Sequence, residues 1–175
     1  MRKIHAIMTA TLTLRSAQPN DWEAIKRIYI EGINTKLATF ESSCSVPDTG
    51  TYWFNGKIEQ SIFVATDNEE VIGWSALSPV SDRCAYGGVG EVSVYVSASS
   101  AGKGIGKMLL DQLIEFGEQN NIWTLQAGIF VDNVASIRLH EKGGFRMVGT
   151  REKLGKLDGE WKDVVLMERR SETIL

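Results

Sequence analysis

Between Val94 and Lys107 the chain reads VYVSASSAGKGIGK, a valine-rich run that passes through small residues into alternate glycines at 102, 104 and 106. Glycines at this spacing let backbone N–H groups converge on one point with no Cβ atoms in the way. An amphipathic helix follows, and its N-terminus adds free amides and a favourable dipole, so the turn from Gly102 through Lys103, Gly104, Ile105 and Gly106 to Lys107 suits a phosphate. Lys103 and Lys107 add positive charge. The alternative is a tight turn with no ligand. A P-loop is excluded, because Ala101 replaces its first glycine and Met108 its magnesium-binding hydroxyl. The dinucleotide fingerprint fails as well: the third glycine comes one residue early and no N-terminal βαβ unit precedes the loop.

Two titratable residues stand out beside that loop. Glu91 interrupts the apolar run Gly88 to Val96, where a carboxylate is costly unless it is exposed, paired or used. Either it points to solvent on an alternating strand, or it is a proton acceptor whose pKa partial burial would raise. His140 precedes Gly143-Gly144 and is either a satisfied helical histidine or a titrating group. Asn133 and Ser136 have the spacing of a helix cap.

The elements that must position these residues follow from periodicity. Thr11 to Arg15 alternates as a strand, and Pro19-Asn20-Asp21 starts a helix carrying Trp22, Ile25, Ile28 and Tyr29 on one face. Ser42 to Gly50 is loop, and Tyr52 to Gln60 forms a second short helix. Ser61 to Thr66 and Glu70 to Leu77 are strands joined by the hairpin turn Asp67-Asn68-Glu69. Gly88 to Val96 is a strand, Gly104 to Glu118 a helix, Trp123 to Val131 a strand, Asn133 to Lys142 a helix and Lys162 to Arg169 a final strand. The expected fold is therefore α/β: a mixed central sheet flanked by helices, one domain over residues 1–175 with its core at about 12–169.

Composition narrows the partners. The 175 residues are 43% hydrophobic and 23% charged with a formal charge of −3, and no Lys/Arg cluster forms the basic face that nucleic acid requires. Cys44 and Cys84 lack CxxC spacing and read as reduced, partly buried thiols; with only His5 and His140 to join them, no zinc site is expected. The N-terminal stretch MRKIHAIMTATLTL lacks the uninterrupted apolar core of a signal peptide, and no segment is long and apolar enough to span a bilayer, so a cytoplasmic protein is expected.

The glycine loop and its setting resemble the acetyl-CoA pyrophosphate loop [QR]-x-x-G-x-[GA] of the GNAT superfamily of N-acetyltransferases, with Ala101 where Gln or Arg is usual. Further blocks are similar to the phosphinothricin and methionine sulfone/sulfoximine acetyltransferase group. These are Ala38-Thr39-Phe40-Glu41, Arg83-Cys84-Ala85-Tyr86, Glu91 to Val96, Asn133 to His140 and Gly159 to Val164. The resemblance implies direct acetyl transfer from acetyl-CoA to the amine of a small amino-acid-like molecule, with Glu91 as general base and His140 as a second base or orienting group. It implies that the backbone of Val94, Tyr95 and Val96 holds the pantetheine arm, that Val94 stabilises the oxyanion, and that Asn133, Ser136 and Lys142 also meet the cofactor. Asn133 remains a cap on the same residues, and Lys142 is as easily solvated.

For the acceptor, the resemblance implies that Arg83 pairs with a carboxylate or phosphinate, that Phe40 and Tyr86 wall the pocket and that Ser93 bonds the substrate. Ser81 stands where users of phosphinothricin tend to carry a second basic residue, which leaves methionine sulfone, sulfoximine or another amino acid as alternatives. A homodimer is implied through the segment around Trp161. Rival readings are a GNAT enzyme for a peptide N-terminus, polyamine or aminoglycoside, and a non-catalytic acetyl-CoA sensor.

Overall fold

A computed structural model describes residues 12–174; the N-terminal stretch with His5, and the expected strand start at Thr11, lie outside them. Seven strands form one mixed sheet in the order β1-β2-β3-β4-β5-β7-β6. They are β1 (Leu12–Ser16), β2 (Phe63–Asp67), β3 (Glu70–Pro79), β4 (Val89–Val96), β5 (Thr124–Phe130), β6 (Arg146–Leu157) and β7 (Glu160–Arg170). The helices are α1 (Trp22–Asn34), α2 (Gly50–Asn55), α3 (Ile105–Gln119) and α4 (Val134–Lys142). Every strand pair is antiparallel except β4–β5.

Periodicity explains most of these elements. In α1 the residues Trp22, Ile25, Ile28 and Ile33 are buried and meet Val64, Trp74 and Ala76 on one face of the sheet. In α3, Leu110, Leu113 and Phe116 pack with Leu77, Leu125 and Met167 on the other. Each such side chain contributes about 2 kcal/mol of transfer free energy when fully buried. The hairpin turn forms as expected, with Asn68 and Glu69 both in the left-handed region (φ 49° and 72°), the geometry of a type I′ connection. α4 ends at the expected glycines, with Gly144 at φ 82° and the Phe145 N–H bonded to the His140 carbonyl.

Three expectations are corrected. The second helix covers Gly50–Asn55 rather than Tyr52 to Gln60. Gly56 closes it by donating to Tyr52 O and Trp53 O, after which Ile58 joins β3 through Leu77 O. The sequence reading also contains no strand between α4 and the last strand, where β6 runs for 12 residues. Nearly all of β6 is exposed, and its pairing with β7 shifts register twice, so it lacks the clean alternation that marks a half-buried strand. Cys44 and Cys84 are free as expected, but exposed rather than partly buried. Among the described residues no helix is long and apolar enough to cross a membrane, and no cluster of three or more His, Cys, Asp or Glu could hold a metal.

Candidate active site

The parallel pair β4–β5 is short. Pairing covers only Val89↔Thr124, Gly90↔Leu125 and Glu91↔Gln126, after which the strands diverge. Two hydrogen bonds fix the parity of β4: the Gly88 carbonyl accepts from Thr124 of β5, and Ser97 N–H donates to Ile72 at the β3 side. Because backbone groups alternate sides along a strand, Val94 and Val96 turn their N–H and C=O towards β5, beyond the point where pairing stops. Tyr95 turns its backbone towards β3, opposite Trp74. Of the three residues assigned to the pantetheine arm, two therefore offer free backbone groups. Tyr95 instead offers its ring, stacked on Trp74 at 4.6 Å and edge-on to Tyr29 at 5.0 Å.

A cleft of about 400 Å³ opens where the strands part. It brings together Glu91, Ser93, Val94 and Tyr95 of β4, Phe40 of the loop after α1, and Asn133, Ser136 and His140 of α4 and its cap, three separate segments. Phe40 lies edge-on to Phe130 at 4.7 Å, and Gly155 leaves it room, since a Cβ there would stand 2.9 Å from the Phe40 ring. Arg83 and Tyr86 lie elsewhere, both exposed on the β3–β4 connection and outside the cleft lining. Lys142 is exposed on the last turn of α4, also outside the lining.

The glycine loop lies just past the end of β4. Gly102 and Gly104 adopt φ of 76° and 83°, and a Cβ at either would meet nothing within 4 Å. Gly104 is the N-cap of α3 and supplies no side chain, so the first amides of the helix stay open. Gly106 serves packing as well, because a Cβ there would stand 3.3 Å from Leu139 of α4. Lys103 is exposed, while Lys107 is engaged by Asp111 at 2.6 Å.

Glu91 is exposed, the solvent-facing one of the two placements expected for it, and accepts a hydrogen bond from Gln126 Nε2 at 3.0 Å. His140 is 4% exposed, packed edge-on to Phe145 at 5.0 Å. Its Nδ1 lies 2.8 Å from the Ser136 carbonyl. A carbonyl only accepts, so Nδ1 carries the proton and Nε2 bears the lone pair, with no partner among the described residues. Burial lowers the His140 pKa, opposed by the bond to Ser136. In the unfolded chain the ring titrates near 6.5; in the native state it binds its proton only at lower pH. Stability from the neutral ring is thus complete above that value and lost as pH falls below it. Denaturation midpoints are expected to drop between pH 7.5 and 5.5, and less steeply in His140→Gln; parallel profiles would refute this.

Asn133 caps α4 by accepting from the Ser136 N–H (3.1 Å) and also donates to Leu37 O (3.1 Å), tying the 37–41 loop to the cleft. The sequence reading missed Lys57, Ser78 and Gln126, all of which line the same cleft. Their relation to Glu91 depends on strand register, and no local pattern signals it.

Residues 14–166 match the model of the acetyltransferase (GNAT) domain. The chain belongs to the GNAT family. It is an acetyl-CoA-dependent N-acetyltransferase. A GNAT relative, the phosphinothricin N-acetyltransferase of Streptomyces coelicolor, is 31% identical across 92% of this chain and 97% of its own. The L-methionine sulfoximine/L-methionine sulfone acetyltransferase of Pseudomonas paraeruginosa is 30% identical, covering 89% and 92%. Among solved GNAT structures, the phosphinothricin acetyltransferase of Sinorhizobium meliloti in complex with acetyl-CoA superposes with a TM-score of 0.78 at 33% identity, covering 93% of this chain and 89% of that one. The ribosomal-protein-alanine N-acetyltransferase of Brucella melitensis superposes at 0.84 with 29% identity, covering 91% and 99%.

Proposed function

We propose that this GNAT enzyme transfers acetyl directly from acetyl-CoA to the amine of a small amino-acid-like acceptor of the methionine sulfone, sulfoximine or phosphinothricin type. The observation that carries the proposal is the divergence of β4 from β5 immediately after Glu91, so that a carboxylate lies where the strand-width cleft begins. The residues present fit the cofactor: free backbone groups at Val94 and Val96 suit an added strand, and the open space over Gly102 and Gly104 suits a diphosphate. Gly102 to Lys107, Asn133 and Ser136 would hold it, and when bound it supplies an activated acyl carbon on a thioester. Glu91 accepts the ammonium proton, the amide of Val94 stabilises the developing oxyanion, and His140 Nε2 is a second acceptor or orienting group. Ser93 and Phe40 line the acceptor side.

Chain pairing through the β6–β7 hairpin completes the proposal, supported by Trp161 (55% exposed) and Leu154 (40% exposed). A monomer in sedimentation at micromolar concentration would remove that part. A cytoplasmic location is supported by the two exposed free thiols, which persist in reducing compartments.

The test is acetyl-CoA consumption, read as thiol release, against amino acids, methionine sulfone and sulfoximine, phosphinothricin, a polyamine and a peptide N-terminus. The peptide belongs in the panel because of the Brucella melitensis likeness. Turnover is expected with the free amino acid analogues. Turnover with the peptide alone would reassign the acceptor, and cofactor binding without thiol release would leave a sensor.

A further inference from the structure

One row of side chains runs across three strands at the closed end of the cleft. Ser78 of β3 stands directly opposite Glu91 of β4, and Glu91 stands opposite Gln126 of β5. Cross-strand neighbours on one face have Cβ atoms about 5 Å apart. Lys57, just past α2, extends this row: its Nζ donates to Ser78 Oγ at 3.0 Å and sits 4.9 Å from the Trp53 ring centroid. Gln126 closes the other end by donating to Glu91. Lys57 and Glu91 thus lie side by side in the cleft lining, a cation and an anion, without forming a direct ion pair. No carboxylate among the described residues pairs with Lys57.

We propose that Lys57 anchors the acceptor's carboxylate, so that Lys57 and Glu91 form a clamp for the two opposite charges of a free α-amino acid. The inference deepens the amino-acid reading above and rests on it. Its chemistry is one of distance. In an α-amino acid the carboxylate carbon is two bonds from the nitrogen, so whatever cation holds the carboxylate must sit next to whatever group receives the ammonium proton. Lys57 meets this condition through Ser78. Arg151, the other cation lining the cleft, does not: it pairs through Val164 with Phe130, four residues along β5 from Gln126, or about 13 Å at strand rise. Arg83 lies outside the lining. Burial lowers the Lys57 pKa while the charge of Glu91 raises it, so an arriving carboxylate restores favour to a charge that desolvation penalises.

The test compares an α-amino acid acceptor, methionine sulfone, with the same molecule lacking its carboxylate, 3-(methylsulfonyl)propylamine. In Lys57→Met, which keeps the aliphatic stem over Trp53, the ratio of kcat/KM for the amino acid to that for the amine should collapse roughly 10- to 100-fold, mostly through KM. Lys57→Arg should recover most of the ratio. Melting temperature and acetyl-CoA affinity, measured alongside, confirm that Lys57→Met is folded and loaded. Equal losses on both acceptors would overturn the anchor and leave Lys57 a residue that positions Glu91. A wild-type enzyme that acetylates the amine as well as the amino acid would also overturn it while leaving acetyl transfer intact. Thiol release with neither acceptor would refute the amino-acid reading itself.

Discussion

Glu91→Gln is expected to lower kcat/KM for the acceptor about 100- to 1000-fold, the range for loss of a positioned general base. The substitution is close to a pure removal of basicity. Glutamine keeps an oxygen that accepts from Gln126 Nε2, so the row Ser78–Glu91–Gln126 survives and the fold is not disturbed. The side chain is itself exposed, so its loss of charge costs the fold little, although it removes the anion that favours the charged form of Lys57. Acetyl-CoA affinity, measured by calorimetry, should therefore be retained while turnover falls. An unchanged rate would remove Glu91 from its role. His140 gives a second reading of the same step. If its unpaired Nε2 serves one proton path with Glu91, the double variant Glu91→Gln/His140→Gln should be little worse than the poorer single one.

The second large effect concerns the cofactor. Gly104→Val is expected to weaken acetyl-CoA binding about 10- to 100-fold, with kcat largely recovered at saturating cofactor. Gly104 holds φ at 83°, a left-handed conformation that costs an ordinary L-residue about 1–2 kcal/mol. A Cβ at this N-cap position of α3 would enter open space, with nothing within 4 Å, beside the first turn of the helix. Strain alone is controlled by Gly159→Val in the β6–β7 turn, where φ is 87° and a Cβ likewise meets nothing within 4 Å. The control should lose comparable stability and keep full cofactor affinity. Equal affinities in the two variants would dissociate the glycine loop from the diphosphate.

The parts of this site that sequence made legible are those encoded by near neighbours. The glycine turn is such a case, because alternate glycines ahead of an amphipathic helix specify their own backbone geometry. Asn133 with Ser136 is another, since a cap is a contact over three residues, and the structure holds it at 3.1 Å. Glu91 stood out because a carboxylate among valines demands a reason. Lys57 gave no comparable signal: its place follows from the register Ser78↔Glu91, a relation between residues far apart in the chain. Arg83 was assigned to the acceptor through the resemblance of its block, and neither that block nor its charge says which side of a connection faces a cleft. β6 escaped for a different reason. Its neighbours lie on one edge only, so burial imposed no alternation on Arg146 to Leu157.

That last strand has a consequence for the behaviour of the protein in a crowded solution. A sheet whose outermost member were smooth and apolar would offer its free amides to any other extended chain and seed growth of the sheet. Here Arg146, Arg151, Lys153 and Lys156 line the outer strand, two register breaks interrupt it, and Lys153 sits in the left-handed region at φ 50°. An incoming strand would have to match an uneven ladder and bury several ammonium and guanidinium groups. The rim thereby resists runaway edge-to-edge aggregation.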